Sequence, residues 1–121
     1  MSAGWGTFDA DQLAALTAGP SFFAEPGERD CPGCGRRRLR AYVQAPERAR
    51  RPTVVSYVWC AGCRRFVGSR SRRPDGLVFS DPLAGVSEAE RRELEGSLGG
   101  FLAHLDGLWD AGLLPQTFAA A

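Results

Sequence analysis

The four cysteines constrain this chain more than any other feature. They fall into two turns of one form, Cys31-Pro32-Gly33-Cys34 and Cys60-Ala61-Gly62-Cys63, with 25 residues between the inner pair. A C-x-x-C turn supplies two thiolates from one tight loop, and two such turns complete the four soft donors that zinc takes at tetrahedral corners. Pro32, Gly35 and Gly62 let backbone N–H groups turn toward sulfur, which tempers the charge of a four-thiolate site. Such a site carries a formal charge of about −2 with Zn²⁺ bound, and Arg36 and Arg64, just past the turns, offset it. The predicted cofactor is therefore one structural Zn²⁺ on Cys31, Cys34, Cys60 and Cys63. Three other uses stay open. A disulfide framework needs an oxidising compartment. A redox C-x-x-C expects a strand–motif–helix setting and leaves the second pair unexplained. Another metal could take the same ligands.

The chain around these turns reads as α+β. Asp9, with Gln12 three residues on, marks a helix start, and Leu13 and Leu16 give it an apolar stripe before Gly19-Pro20 ends it. Phe22 and Phe23 follow as core anchors. Leu39–Gln44, Thr53–Trp59 and Arg65–Arg70 have strand character, with a charged, proline-bounded loop between the first two. Leu77–Phe79, after the Pro74-Asp75-Gly76 turn, is expected to pair back as a short fourth strand. Ser87-Glu88-Ala89-Glu90 is a capping box opening a long C-terminal helix. Its apolar face runs through Leu94, Leu98, Phe101, Leu102, Leu105, Leu108 and Trp109. Gly96, Gly99 and Gly100 either allow close backbone approach there or divide the helix in two. The expected core joins Leu13, Leu16, Phe22, Phe23, Leu98, Phe101, Leu105 and Trp109.

Knuckle, hairpin, knuckle and a further strand over roughly residues 29–70 resemble the zinc-ribbon family. That resemblance implies a small antiparallel sheet of three or four strands around the metal, flanked here by the N-terminal and the long C-terminal helix. It leaves function open, because ribbons occur in transcription factors, ribosomal proteins, enzymes and adaptors. With 121 residues, 44% of them hydrophobic, the chain is expected to form a single domain spanning residues 1–121, burying about two-thirds of its unfolded surface. No apolar run approaches the ~20 residues of a membrane span. The N-terminus lacks a basic region ahead of its apolar stretch, which argues against a secretory signal and for a cytoplasmic protein.

The net charge of +1 averages very unequal parts. Residues 29–73 hold thirteen arginines against Asp30 and Glu47, whereas residues 1–28 carry four acids and no base. Residues 74–121 carry eight acids against Arg91 and Arg92. There is no lysine, isoleucine or asparagine, a bias that GC-rich coding explains. In a ribbon the arginines after each knuckle (Arg36, Arg37, Arg38 and Arg40; Arg64, Arg65, Arg70, Arg72 and Arg73) and those of the hairpin loop (Arg48, Arg50 and Arg51) are expected to converge on one side. Interleaved with Tyr42, Tyr57 and Trp59, they would make a nucleic-acid footprint. Arginine also grips acidic protein surfaces, and the charge cancellation favours pairing with the chain's own acids or with a protein.

Catalysis finds little footing. Four cysteines make a closed metal site, His104 is the single histidine, and neither a nucleophile elbow nor a phosphate-binding loop occurs. A small-molecule substrate is not expected, nor is a membrane partner. A looser likeness runs through Val58-Trp59-Cys60-Ala61-Gly62-Cys63-Arg64, Ser69-Arg70, Asp81-Pro82-Leu83 and Leu105-Asp106-Gly107-Leu108-Trp109-Asp110-Ala111-Gly112-Leu113-Leu114-Pro115. It is similar to small zinc-ribbon proteins of GC-rich bacteria taken as immunity partners of polymorphic toxins. This implies a non-catalytic protein that binds and covers a toxin domain, with Glu88, Glu95, Asp106 and Asp110 as a candidate acidic face. Arg36, Arg37, Arg38, Arg64, Arg65, Arg72 and Arg73 are the candidate basic one, and a nucleic-acid-binding or transcription-accessory ribbon is the alternative.

Overall fold

A computed structural model describes residues 4–46 and 50–120. Arg48 of the charged loop lies outside them, as does Glu47. The core of the fold is an antiparallel meander: β2 (Leu39–Gln44), β3 (Thr53–Cys60) and β4 (Arg65–Arg72). The register Arg40↔Trp59↔Phe66 and Tyr42↔Tyr57↔Gly68 sets one aromatic-rich face, and Leu39↔Cys60 and Ala41↔Val58↔Val67 set the other. The two-residue strand β1 (Gly6–Thr7) adds in parallel beside Arg65 and Phe66, giving the order β1-β4-β3-β2. The sheet is therefore mixed rather than antiparallel throughout. Two residues between Trp5 and Phe8 carry too little pattern to read as a strand.

Each face carries a packed cluster over β2, β3 and the start of β4. Helix α1 (Ala10–Ala18) opens on the expected capping box, with Asp9 Oδ1 accepting from Gln12 N–H at 2.8 Å and Gln12 Oε1 from Asp9 N–H at 2.9 Å. Leu13, Leu16 and Phe22 pack with Phe8, Leu39, Cys31 and Cys60 on one face. On the other, α3 (Leu98–Asp110) seats Phe101, Leu102 and Leu105 on Tyr42 and Trp59, with Leu83 and Leu114 closing the cluster.

The single long C-terminal helix divides into α2 (Glu88–Glu95) and α3. Gly96 ends α2, and Ser97 opens α3 by accepting from Gly100 N–H at 3.2 Å. A hydroxyl that can cap, following a glycine, makes a restart cheaper than continuation. Gly99 serves the other purpose, since a Cβ there would stand 3.2 Å from the Trp5 ring. The break leaves Leu98 in the first turn of α3, exposed rather than in the core.

The short strand β5 (Leu77–Phe79) does not rejoin the meander. It pairs antiparallel with β6 (Phe118–Ala120) in a separate two-stranded ribbon, where Phe118 packs against Phe23 and Phe79. Gln116 ties this ribbon's base to the sheet. Its side-chain amide accepts from Val43 N–H and donates to Val43 C=O and Ser80 C=O, each at 2.8 Å, and so finishes the outer edge of β2. Among the described residues no helix is long and apolar enough to cross a membrane.

Candidate metal centre and charged surfaces

The two knuckles close over one end of the sheet. In the first, Gly35 N–H donates to Cys31 C=O at 2.8 Å; in the second, Arg64 N–H donates to Cys60 C=O at 3.0 Å. Both turns need a positive φ just after the second cysteine, met by Gly35 at +74° and by Arg64 at 57°. The residue two past each leading cysteine also points its N–H at sulfur. Gly33 N–H lies 3.2 Å from Cys31 Sγ, and Gly62 N–H lies 3.3 Å from Cys60 Sγ.

These turns bring the four sulfurs within 4.8 Å of one another. Cys31 Sγ stands 3.7 Å from Cys63 Sγ, and Cys34 Sγ stands 3.6 Å from Cys60 Sγ. A disulfide requires about 2 Å, so the thiols are unbridged. A tetrahedron with metal–sulfur bonds of about 2.3 Å has an edge of about 3.8 Å, which matches both distances. Cys31, Cys34, Cys60 and Cys63 could thus hold a metal ion, and the donor set is consistent with zinc. Burial pushes the Cys60 thiol up to about 12 and raises Cys31 as well. The Arg36 backbone N–H lowers exposed Cys34 instead. Crowding buried thiols in this way favours their ionisation only together with a cation.

Arg65 adds to the charge offset at the thiolates. Its Nη1 reaches to 3.9 Å from Cys63 Sγ, and its guanidinium overlies Gly33 of the other knuckle. The stems of Arg36 and Arg38 lie against Gly62, while the Arg64 guanidinium sits over the Trp5 ring at 5.9 Å. Arg37 meets Asp30 at 3.5 Å in an exposed pair.

The arginines do not converge on one side. Strand β4 runs from Arg65 to Arg72, and eight residues at about 3.3 Å per residue separate the ends by roughly 23 Å. Arg36, Arg37, Arg38, Arg64 and Arg65 stand at the knuckle end, and Arg51, Arg70, Arg72 and Arg73 stand at the far end. Nor do the aromatics join them. Tyr42 and Trp59 are fully buried and Tyr57 is half-buried under Phe101, because alternation in β2 and β3 turns all three toward α3. Arg73 is drawn inward, over the Phe79 ring and onto Leu77 C=O at 2.7 Å.

The sequence reading missed the most heavily engaged charge. Arg40, 5% exposed, lies on the face covered by α3. It donates to Glu28 at 2.8 Å, Asp106 at 3.0 Å and Asp110 at 3.3 Å, and stacks over the Trp109 ring at 5.4 Å. Asp106 also accepts from Trp59 Nε1 at 2.6 Å. Burial opposes the Arg40 charge, but Glu28 and Asp106 outweigh it and raise its pKa. A signal was present: Asp106 and Asp110 are four apart, on the border of an apolar helical face, where a buried cation can meet both. Of the remaining acids, Glu95 accepts from Gln44 Nε2 at 3.3 Å and Glu88 faces Arg92 at 3.7 Å. Asp81 takes the Tyr42 hydroxyl at 2.7 Å and Leu83 N–H at 2.9 Å, with Arg91 at 3.8 Å. No protein-family model matches the chain, and neither a curated protein nor a solved structure does.

Proposed function

We propose that the chain is a non-catalytic module pinned by one structural Zn²⁺, working in the cytoplasm by binding another protein. The observation that carries this reading is the division of the exposed arginines between two ends of the sheet, with Tyr42 and Trp59 buried between them. A nucleic-acid surface of this kind would need a continuous basic track with aromatic faces open for stacking. Four sulfurs also fill a tetrahedral shell, whereas a catalytic zinc keeps a position for water or substrate. The zinc ribbon is the family reading of the knuckles, and covering a toxin domain is the role implied by the likeness to immunity-type ribbons. The exposed trio Arg36, Arg37 and Arg38 favours the second reading, a nucleic-acid-binding ribbon.

Gel shifts with duplex DNA and single-stranded RNA, repeated across salt, separate the two. The protein-binding reading expects weak shifts without sequence preference and a stoichiometric complex with one protein captured from the source cell. Tight nucleic-acid binding with a steep salt slope, lost when Arg36, Arg37 and Arg38 become alanine, would overturn it.

A further inference from the structure

The sheet has two edges, and the fold treats them differently. On β2, Arg29 exchanges both backbone hydrogen bonds with Leu39, and Gln116 does the same for Val43 through its side chain. On β4, β1 covers only Arg65 and Phe66 before the chain turns into Phe8 and α1. Beyond Phe66, no strand among the described residues pairs with the outer side of β4. Gly6 N–H donates to Arg64 C=O on that outer side, and Arg73 N–H donates inward to Pro52 C=O. Alternation along the strand then directs the N–H and C=O of Gly68, Arg70 and Arg72 outward. An open edge of this kind is a template for another strand.

The side chains specify what that strand carries. Arg70 and Arg72 lie on one face of the sheet, and Arg51 stands at the same end, beside Pro52 and Thr53 at the start of the neighbouring β3. No carboxylate among the described residues pairs with Arg51 or Arg70, and Arg72 meets exposed Asp75 only at 4.0 Å. Gly68 contributes no side chain, and a Cβ there would lie 3.9 Å from the half-buried Tyr57 ring, so the edge is bare backbone at Gly68 followed by guanidiniums. A second copy of this chain would set Arg70 and Arg72 against their own equivalents. A nucleic acid would bring phosphates against the outward carbonyls and leave the N–H and C=O ladder unused. We infer that the open β4 edge from Gly68 to Arg72 takes an extended acidic segment of a protein partner as an added strand. This rests on the protein-binding reading above and names the surface it uses.

The probe is a fluorescent nonapeptide of alternating Glu and Val, added to the metal-loaded full chain. Anisotropy gives affinity, and NMR amide exchange locates the contact. The expected result is binding that slows exchange at Gly68, Arg70 and Arg72. N-methylating two central valines, or changing Arg70 and Arg72 to Gln, should weaken binding about tenfold. Arg36→Gln with Arg38→Gln should leave it unchanged. Arg70→Pro removes one outward N–H without touching the inner ladder; should it fail to fold, the N-methylated peptide makes the same test from the ligand side. Absence of binding, or protection at the knuckle end instead, overturns the edge proposal while the protein-binding reading stands. Tighter binding of a single-stranded oligonucleotide of equal charge at about 0.15 M salt overturns both.

Discussion

Replacing Arg40 with alanine is the sharpest perturbation of the fold. The side chain is buried and meets three carboxylates of unequal worth. Asp110 is 69% exposed, so its share falls in the range of surface pairs, about 0.5 kcal/mol. Glu28, at 33% exposure, is discounted for the same screening. Asp106 is 26% exposed and holds both Arg40 and Trp59, so removing the guanidinium leaves a carboxylate largely enclosed with one N–H donor. Breaking a fully buried pair from one side costs about 3–5 kcal/mol. Partial exposure places Arg40→Ala near the lower end, about 3 kcal/mol, including the lost contact of its guanidinium with the Trp109 ring. For a domain of this size that lowers the melting temperature by roughly 10 °C. Near-UV circular dichroism on Trp59 and Trp109, with urea titration, reads the loss, and metal content measured alongside should not change. Arg40→Met separates packing from charge, and adding Asp106→Asn to it should recover part of the stability. A loss below about 1 kcal/mol, or independent effects of the Arg40 and Asp106 changes in a double-mutant cycle, would show that the Arg40 cluster does not hold α3 to the sheet.

Three further outcomes follow from the same geometry. Burial and the Asp81 carboxylate raise the Tyr42 pKa; the folded state therefore holds that proton more tightly than the unfolded state. The stability this contributes is complete below about pH 10, the ordinary tyrosine value, and is lost progressively above it. Thermal unfolding followed from pH 8 to 11 should show the decline, and Tyr42→Phe should flatten it. Gln116→Leu leaves the Val43 N–H and C=O without partners at the β2 edge, a loss of about 2 kcal/mol by urea unfolding. Gly35→Ala forces a side chain to φ +74° and should cost about 1 kcal/mol, with metal affinity reduced because the first knuckle must shift.

The parts that could be read from sequence depend on short-range chemistry. The knuckle spacing, the Asp9–Gln12 capping box and the meander from Leu39 to Arg72 each announce themselves within a few residues. What the reading missed depends on distant partners. Arg40 looks like one of a run of surface arginines until α3 arrives with Asp106 and Asp110. Tyr42 and Trp59 look like stacking platforms until the same helix buries them. Gly6–Thr7 becomes a strand because β4 has an edge beside it, and Phe118–Ala120 because Leu77–Phe79 does. The convergence of the arginines assumed a compact ribbon, and the eight-residue length of β4 carries Arg72 away from the knuckles.

In the proposed metal centre Cys31, Cys34, Cys60 and Cys63 bind one zinc ion, and the fold depends on it. X-ray absorption at the zinc edge on purified protein, paired with metal stoichiometry and unfolding in chelator, reads both the ligands and the dependence. One zinc per chain, four sulfurs at about 2.3 Å and loss of cooperative unfolding when the metal is stripped are the expected results. Protein that is metal-free as isolated, folded in chelator and linked through Cys34–Cys60 or Cys31–Cys63 disulfides would contradict them.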